Sequence, residues 1–108
     1  MIHKPHGWVI LKFTNEGDEF FKIFASWRGG YLDADSWRLS SGNNKPPALS
    51  DCGKYWIWPQ ESGSCYHLSV HGEDGYSFYT AQILASIIIQ SGESDVFIER
   101  VKLSSILN

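Results

Sequence analysis

The chain has 108 residues, 43% hydrophobic and 19% charged, with a formal net charge of −3 and a pI near 5.7. That balance fits a globular chain and not a disordered one, and it lacks the basic face of a general nucleic-acid binder. The longest apolar run, Ile83 to Ile89, is too short to cross a bilayer, so neither nucleic acid nor membrane is an expected partner.

At this length one domain, 1–108, is expected, and it buries roughly two-thirds of its unfolded surface. The opening MIHKPHGWVI does not read as a signal peptide, because the apolar run that follows is short and broken by Lys12. A cytoplasmic setting follows as the expectation, with Cys52 and Cys65 reduced. Five Trp, five Tyr and six Phe are more rings than a small core hides easily, so some belong at a recognition surface.

Residues 1–6 read as a loose N-terminal arm, with His3 and His6 solvated. Gly7 to Thr14 alternates as a strand, with Val9, Leu11 and Phe13 opposite Trp8, Ile10 and Lys12. Asn15-Glu16-Gly17-Asp18 is a turn, and Glu19 to Trp27 is the return strand. Both strands carry apolar residues on both faces, which predicts a central place in their sheet. Arg28-Gly29-Gly30 predicts a second tight turn into Tyr31-Leu32. Asp33-Ala34-Asp35 interrupts, and Ser36 to Ser40 resumes alternation with Trp37 and Leu39 opposite Arg38.

Ser41 to Asp51 is the longest loop, with Pro46 and Pro47 keeping it out of a sheet interior. Lys54 to Trp58 is a short strand, with Tyr55 and Ile57 opposite Trp56 and Trp58. From Cys65 the apolar Tyr66, Leu68 and Val70 alternate with Cys65, His67, Ser69 and His71. After Gly72-Glu73-Asp74-Gly75 the period lengthens to three and four, through Phe78, Ala81, Leu84, Ala85 and Ile88. Ile83, Ile87 and Ile89 widen that stripe, so residues 77–91 form an amphipathic helix. Asp74 or Ser77 suits its start and Gly92 its end. Val96 to Val101 is the last strand, and Leu103, Ile106 and Leu107 tuck in after it. The expected fold is α+β: an antiparallel meander of five or six strands, one helix on one face, in the order β-β-β-β-β-α-β. The late strand-helix-strand step permits one parallel pairing.

Several constellations could carry chemistry. Alternate residues on one strand face lie about 6.6 Å apart, so Cys65, His67 and His71 are candidate metal ligands, beside the plainer reading of a solvent-facing sheet. His67, His71, Glu73 and Asp74 would centre a metal-dependent hydrolase, though carboxylates at a helix start are expected from the macrodipole alone. Asp33-Ala34-Asp35-Ser36 lacks the ligand run of a calcium loop. Cys52, beside Asp51, has no sequence reason for a lowered pKa. Trp56 and Trp58 share a strand face and could stack on a sugar. No cofactor is expected.

Two segments, KIFASWRGGYLDADSWRLSSG and CYHLSVHGEDGYSFYTAQILASIIIQ, resemble parts of small uncharacterised proteins of bacterial phages and prophages. The cues are Ser-Trp-Arg-Gly-Gly-Tyr at 26–31, Ser-Trp-Arg-Leu-Ser-Ser-Gly at 36–42, and the Tyr-rich helix start. The resemblance implies a bacterial or host cytoplasm and a small accessory role, and it carries over no functional residue. The residues together favour a non-enzymatic protein-binding module, and the resemblance adds a phage-type host-modulating or inhibitory role as the expectation. Its expected contact surface is Tyr31, Trp37, Arg38, Trp56 and Trp58, an aromatic cluster with an Arg. An edge strand could also pair two copies. A metal-dependent hydrolase and a carbohydrate-binding module are the alternatives.

Overall fold

The structure, a computed structural model, describes residues 1–29, 35–76, 78–90 and 96–107. The hairpin expected near the start is its backbone: β2 (Gly7–Asn15) and β3 (Asp18–Trp27) pair antiparallel from Gly7↔Ser26 to Asn15↔Asp18. Glu16 and Gly17 between them have φ of 52° and 89°, the positive pair that lets a two-residue turn follow the strand twist. Six further strands complete the β part: β1 (Ile2–His3), β4 (Ser36–Leu39), β5 (Ala48–Leu49), β6 (Tyr55–Pro59), β7 (Cys65–Ser69) and β8 (Phe97–Val101). The helix α1 spans Phe78–Gln90, and a 3-10 turn covers Leu103–Ser105.

The broad α+β expectation holds, with one helix and mostly antiparallel pairing. The single meander does not. Among the described residues eight strands form two four-stranded sheets, β1-β7-β6-β5 and β4-β3-β2-β8. The reason lies in β2, whose two faces are both apolar and both need cover. On one face Trp8 and Ile10, with Ile23 and Ala25 of β3, meet Trp58, Tyr66 and Leu68 of the other sheet, and Leu103 closes the layer. On the opposite face Val9, Leu11, Phe13 and Phe24 meet Leu84 of α1, with Ile83, Ile87 and Ile88 packed around them. The result is a sheet-sheet-helix stack with the hairpin in the middle. Trp8 is fully buried and its indole N–H donates to the Ser69 carbonyl at 2.8 Å. Trp8→Ala is expected to cost about 4 kcal/mol through the cavity it leaves.

The chain changes sheets just after β4. Ser40 ends that strand by using its own hydroxyl as acceptor for the Ile23 N–H at 2.8 Å, while its N–H donates to the Ile23 carbonyl at 3.0 Å. Gly42, at φ 105°, then donates to the Gln60 side chain at 3.0 Å. Asn43 bonds to the Phe21 backbone in both directions at 2.9 Å and its side chain reaches the Pro59 carbonyl at 2.7 Å, tying the sheets together. These ties are long-range, and β4 and β5, consecutive along the chain, lie in different sheets.

Other expectations are corrected in detail. The parallel pairing is β1 with β7, whereas β8 pairs antiparallel with β2. Residues 1–6 are held rather than loose: Ile2 and His3 pair with Cys65 and Tyr66, Pro5 is buried, and the His6 N–H donates to the Ser26 carbonyl at 3.0 Å. The helix buries Thr80 and Leu84, while Ala85 and Ile89 are exposed, so its inward stripe is rotated from the expected one. Asp74 is not a helix cap, as shown below. Tyr31-Leu32, Asp33-Ala34, the Ser77 and Gly92 caps and the Phe78 side chain lie outside what the structure describes. Among the described residues no helix is long and apolar enough to cross a membrane.

Candidate functional site

The second sheet ends on β4, and that edge carries the most exposed aromatic-cationic pair of the expected surface. Ser36, Trp37 and Arg38 are all exposed. The register Trp27↔Ser36, Ala25↔Arg38 and Phe24↔Leu39, with Ser40 bonded to Ile23, sets which backbone groups are used. By the alternation of antiparallel ladders, Ser36 and Arg38 bond inward to β3, and Trp37 and Leu39 turn N–H and C=O outward. Nothing among the described residues pairs with those outward groups. Trp37 is 40% exposed and its ring lies on the buried Phe24, with centroids 5.6 Å apart and planes 18° apart. Stacking on a buried ring holds its orientation.

Arg38 lies on the face toward the other sheet. Its charge reaches His3 and Tyr66. His3 is wedged by Tyr66 at 4.8 Å and Trp27 at 6.3 Å between ring centroids, and its Nε2 is buried with no hydrogen-bond partner among the described residues. Burial, then Arg38, then the N-terminal ammonium hold the His3 pKa below its usual value. Burial likewise raises the Tyr66 hydroxyl, with Arg38 opposing.

At the start of β4 a cleft of about 250 Å³ opens. Its floor is the contact of two glycines: a Cβ on Gly7 would stand 2.1 Å from the Gly75 carbonyl oxygen, so only glycine fits. Ser26 Oγ, buried, lies 3.4 Å from the carbonyl oxygens of both glycines. His6, Arg28, Asp35 and Tyr76 form the rim, with Trp27 beside them. The Arg28 N–H donates to His6 Nδ1 at 2.7 Å, which places the proton of the neutral imidazole on Nε2. Gly29 N–H donates to Asp35 Oδ1 at 2.9 Å, and the Trp27 indole N–H donates to the Lys4 carbonyl at 3.1 Å. Among the described residues the Arg28 guanidinium has no ion-pair partner.

The remaining expected residues fall elsewhere. Trp56 and Trp58 share a face, but that face is turned into the inter-sheet core. Trp58 is fully buried, with its indole N–H on the Lys45 carbonyl at 2.8 Å, and Trp56 is half-buried against the same cluster. They form no exposed platform, and Trp58 leaves the contact surface. Tyr31 lies outside the described residues. Cys65 and His67 are half-buried, with His67 facing Tyr55 at 6.4 Å between centroids, and His71 is exposed. No group of three His, Cys, Asp or Glu able to hold a metal is found among the described residues.

Glu73 and Asp74 are engaged in the framework. Glu73 Oε2 accepts the Leu103 N–H at 2.6 Å. Asp74, at φ 63°, accepts from Arg100 at 2.9 Å and pairs with Lys102, while its own N–H donates to the Trp8 carbonyl at 2.7 Å. Burial raises the Asp74 pKa, but the bonds from Lys102 and Arg100 outweigh it and hold the carboxyl below its usual value. Arg100 also donates to the Tyr76 hydroxyl at 3.0 Å. Cys52 departs from expectation too: the Ser50 hydroxyl 3.4 Å away, and then the Lys54 backbone, lower its thiol pKa.

His6, Trp27 and Arg28 were not legible as a site, because the link between Gly7 and Gly75 that builds the floor leaves no local pattern. Comparison of the chain with family models, with curated proteins and with solved structures finds no match, so the geometry alone carries the functional reading.

Proposed function

We propose that this chain is a non-enzymatic protein-binding module that takes an extended segment of its partner along the outer edge of β4. The observation that supports this is a strand edge with outward backbone groups, flanked by an exposed Trp37 stacked on buried Phe24 and by an exposed Arg38. Strand addition supplies main-chain hydrogen bonds, and the flanking side chains supply selectivity. Trp and Arg are the residue types that dominate interface energetics. A phage-type host-modulating or inhibitory role in a bacterial cytoplasm belongs to the same proposal and rests on the resemblance of the two segments.

The hydrolase alternative has less support, because Glu73 and Asp74 already hold Leu103, Arg100 and Lys102. The carbohydrate alternative lacks its paired rings, since Trp58 is buried. The test is capture of bound proteins from host lysate by the wild type, by Trp37→Ala and by Phe97→Ala, each with an unchanged circular dichroism spectrum. The proposal expects Trp37→Ala alone to lose the bound set. Retention of that set by Trp37→Ala would sink it.

A further inference from the structure

We propose that residues 1–6 are a strap released by protons: it joins the two sheets while His3 and His6 are neutral, and acid frees it from both. This does not depend on pairing at β4. Each end of the strap is bonded to a different sheet. On one side the Cys65 N–H donates to the Met1 carbonyl at 2.9 Å, and Ile2 and His3 pair with Cys65 and Tyr66 of β7. On the other side the Trp27 indole N–H donates to the Lys4 carbonyl at 3.1 Å, and the His6 N–H donates to the Ser26 carbonyl at 3.0 Å. The Arg28 N–H completes that attachment by donating to His6 Nδ1 at 2.7 Å. One histidine therefore stands at each attachment. The first attachment is slight, since β1 is two residues long and runs parallel, the weaker ladder per residue. Short, marginal pairings of this kind open without unfolding the rest of a domain.

Both seats are built for a neutral ring. An imidazolium carries N–H on both nitrogens. At His3 that puts a cationic donor on Nε2, which is buried with no acceptor among the described residues. The groups facing His3 do not compensate: Arg38 of β4 and the N-terminal ammonium are cations, and Tyr66 of β7 offers a neutral phenol. At His6 a proton on Nδ1 removes the lone pair that the Arg28 N–H uses. The charged and titratable groups around His6 are Arg28 after β3, Asp35 before β4 and Tyr76 before α1. Asp35 is the anion among them and draws a proton toward the ring; at Nδ1 that proton displaces the Arg28 N–H. A ring that must be neutral to dock favours the docked strap above the free imidazole value of about 6.5, and loses that contribution as pH falls. Release makes the five-residue β7 the edge of its sheet in place of β1, and uncovers the Tyr66 ring beneath His3. The fold thus holds a strand edge that is closed at neutral pH and open in acid.

The test is amide hydrogen exchange of the full chain between pH 7 and 5, read as protection after correction for the intrinsic rate. Three amides are followed: Cys65 and His6, one at each attachment, and Trp8, whose N–H donates to the Gly72 carbonyl at 3.0 Å in the core. The expected result is a loss of protection of about tenfold or more at Cys65 and His6 together, with Trp8 unchanged. His3→Phe, a ring that takes no proton, should flatten most of this change at both amides. Adding His6→Asn, whose side-chain oxygen accepts the Arg28 N–H and does not titrate, should remove the rest. Protection at Cys65 that does not vary with pH in the wild type overturns the proposal, and this arm needs no variant to fold. Loss at Cys65 without loss at His6 overturns a single strap. Equal loss at Trp8 assigns the change to global unfolding and overturns it as well. So does a double variant that is folded by its melting midpoint at pH 7 and still loses protection in acid.

Discussion

The two edges of the second sheet are treated in opposite ways. At β8 the charges are tied down. Lys12 lies between Glu19 at 3.3 Å and Glu99 at 3.1 Å, and Arg100 and Lys102 both hold Asp74. The turn bearing Asp74 is hooked to β2 by the Trp8 backbone and by the Gly7–Gly75 contact. At β4 no such clamp exists among the described residues, and an aromatic and a cation are exposed. Charged side chains along an edge discourage pairing with another strand, and an exposed aromatic edge invites it. The contrast teaches that this sheet has one edge braced by tied charges and one edge left with an exposed aromatic and cation, and the braced edge takes several polar contacts to build.

The strongest way to break the contrast is Gly7→Ala. The added methyl would stand 2.1 Å from the Gly75 carbonyl, a backbone atom that cannot swing aside. A loss of about 3 kcal/mol in urea unfolding is expected, because the turn must lift off β2. Gly75→Ala is the milder companion, since its nearest neighbours stand at 3.0 and 3.2 Å.

Next comes Asp74→Asn, which tolerates the positive φ of 63° and removes the charge that faces Arg100 and Lys102. A partly exposed pair of this kind contributes about 1 kcal/mol. The sign in pH follows from the lowered folded-state pKa. The stabilisation is full above the unfolded carboxylate value of about 4 and disappears as pH falls through the lower folded value. Wild type and Asp74→Asn should therefore differ at pH 7 and converge in strong acid. A constant difference down to pH 2 would show that the clamp is not electrostatic.

The β4 side has its own titration. His3 has a lowered folded-state pKa, caused first by burial and then by Arg38 and the N-terminus. A base with a depressed folded pKa stabilises above its unfolded value of about 6.5 and loses that contribution as pH falls. Docking of β1, followed by amide exchange at Cys65, whose N–H donates to the Met1 carbonyl at 2.9 Å, should weaken between pH 7 and 5. His3→Phe should flatten that dependence. The smallest effect sharpens the contrast from the other side. Phe97→Ala, at 57% exposed on the braced edge, should change stability by less than about 0.5 kcal/mol and leave binding intact.

Much of the local structure was legible. The two-residue period at 7–14 and 19–27, the polar turn between them, and the switch to a three-to-four period after Gly75 lie where the strands and helix are found. Of the residues expected on a contact surface, Trp37 and Arg38 are exposed, whereas Trp58 faces inward. Periodicity reports that Trp56 and Trp58 share a side. It does not report which side meets the core, because Tyr55 and Ile57 are nearly as apolar. The short strands β1 and β5, two residues each, are too brief to show a period and are defined only by their partners.

By itself the chain determined its turns, its alternating faces and its one long helix, since these follow from neighbours within a few positions. Tertiary structure alone decided the division into two sheets, the use of Glu73 and Asp74 as clamps, and the cleft above Gly7 and Gly75. Each depends on groups distant along the backbone, as when the Trp8 indole finds the Ser69 carbonyl 61 residues away. Such partners are selected by burying both faces of β2 while satisfying every polar group beside them, a condition that no short window of residues contains.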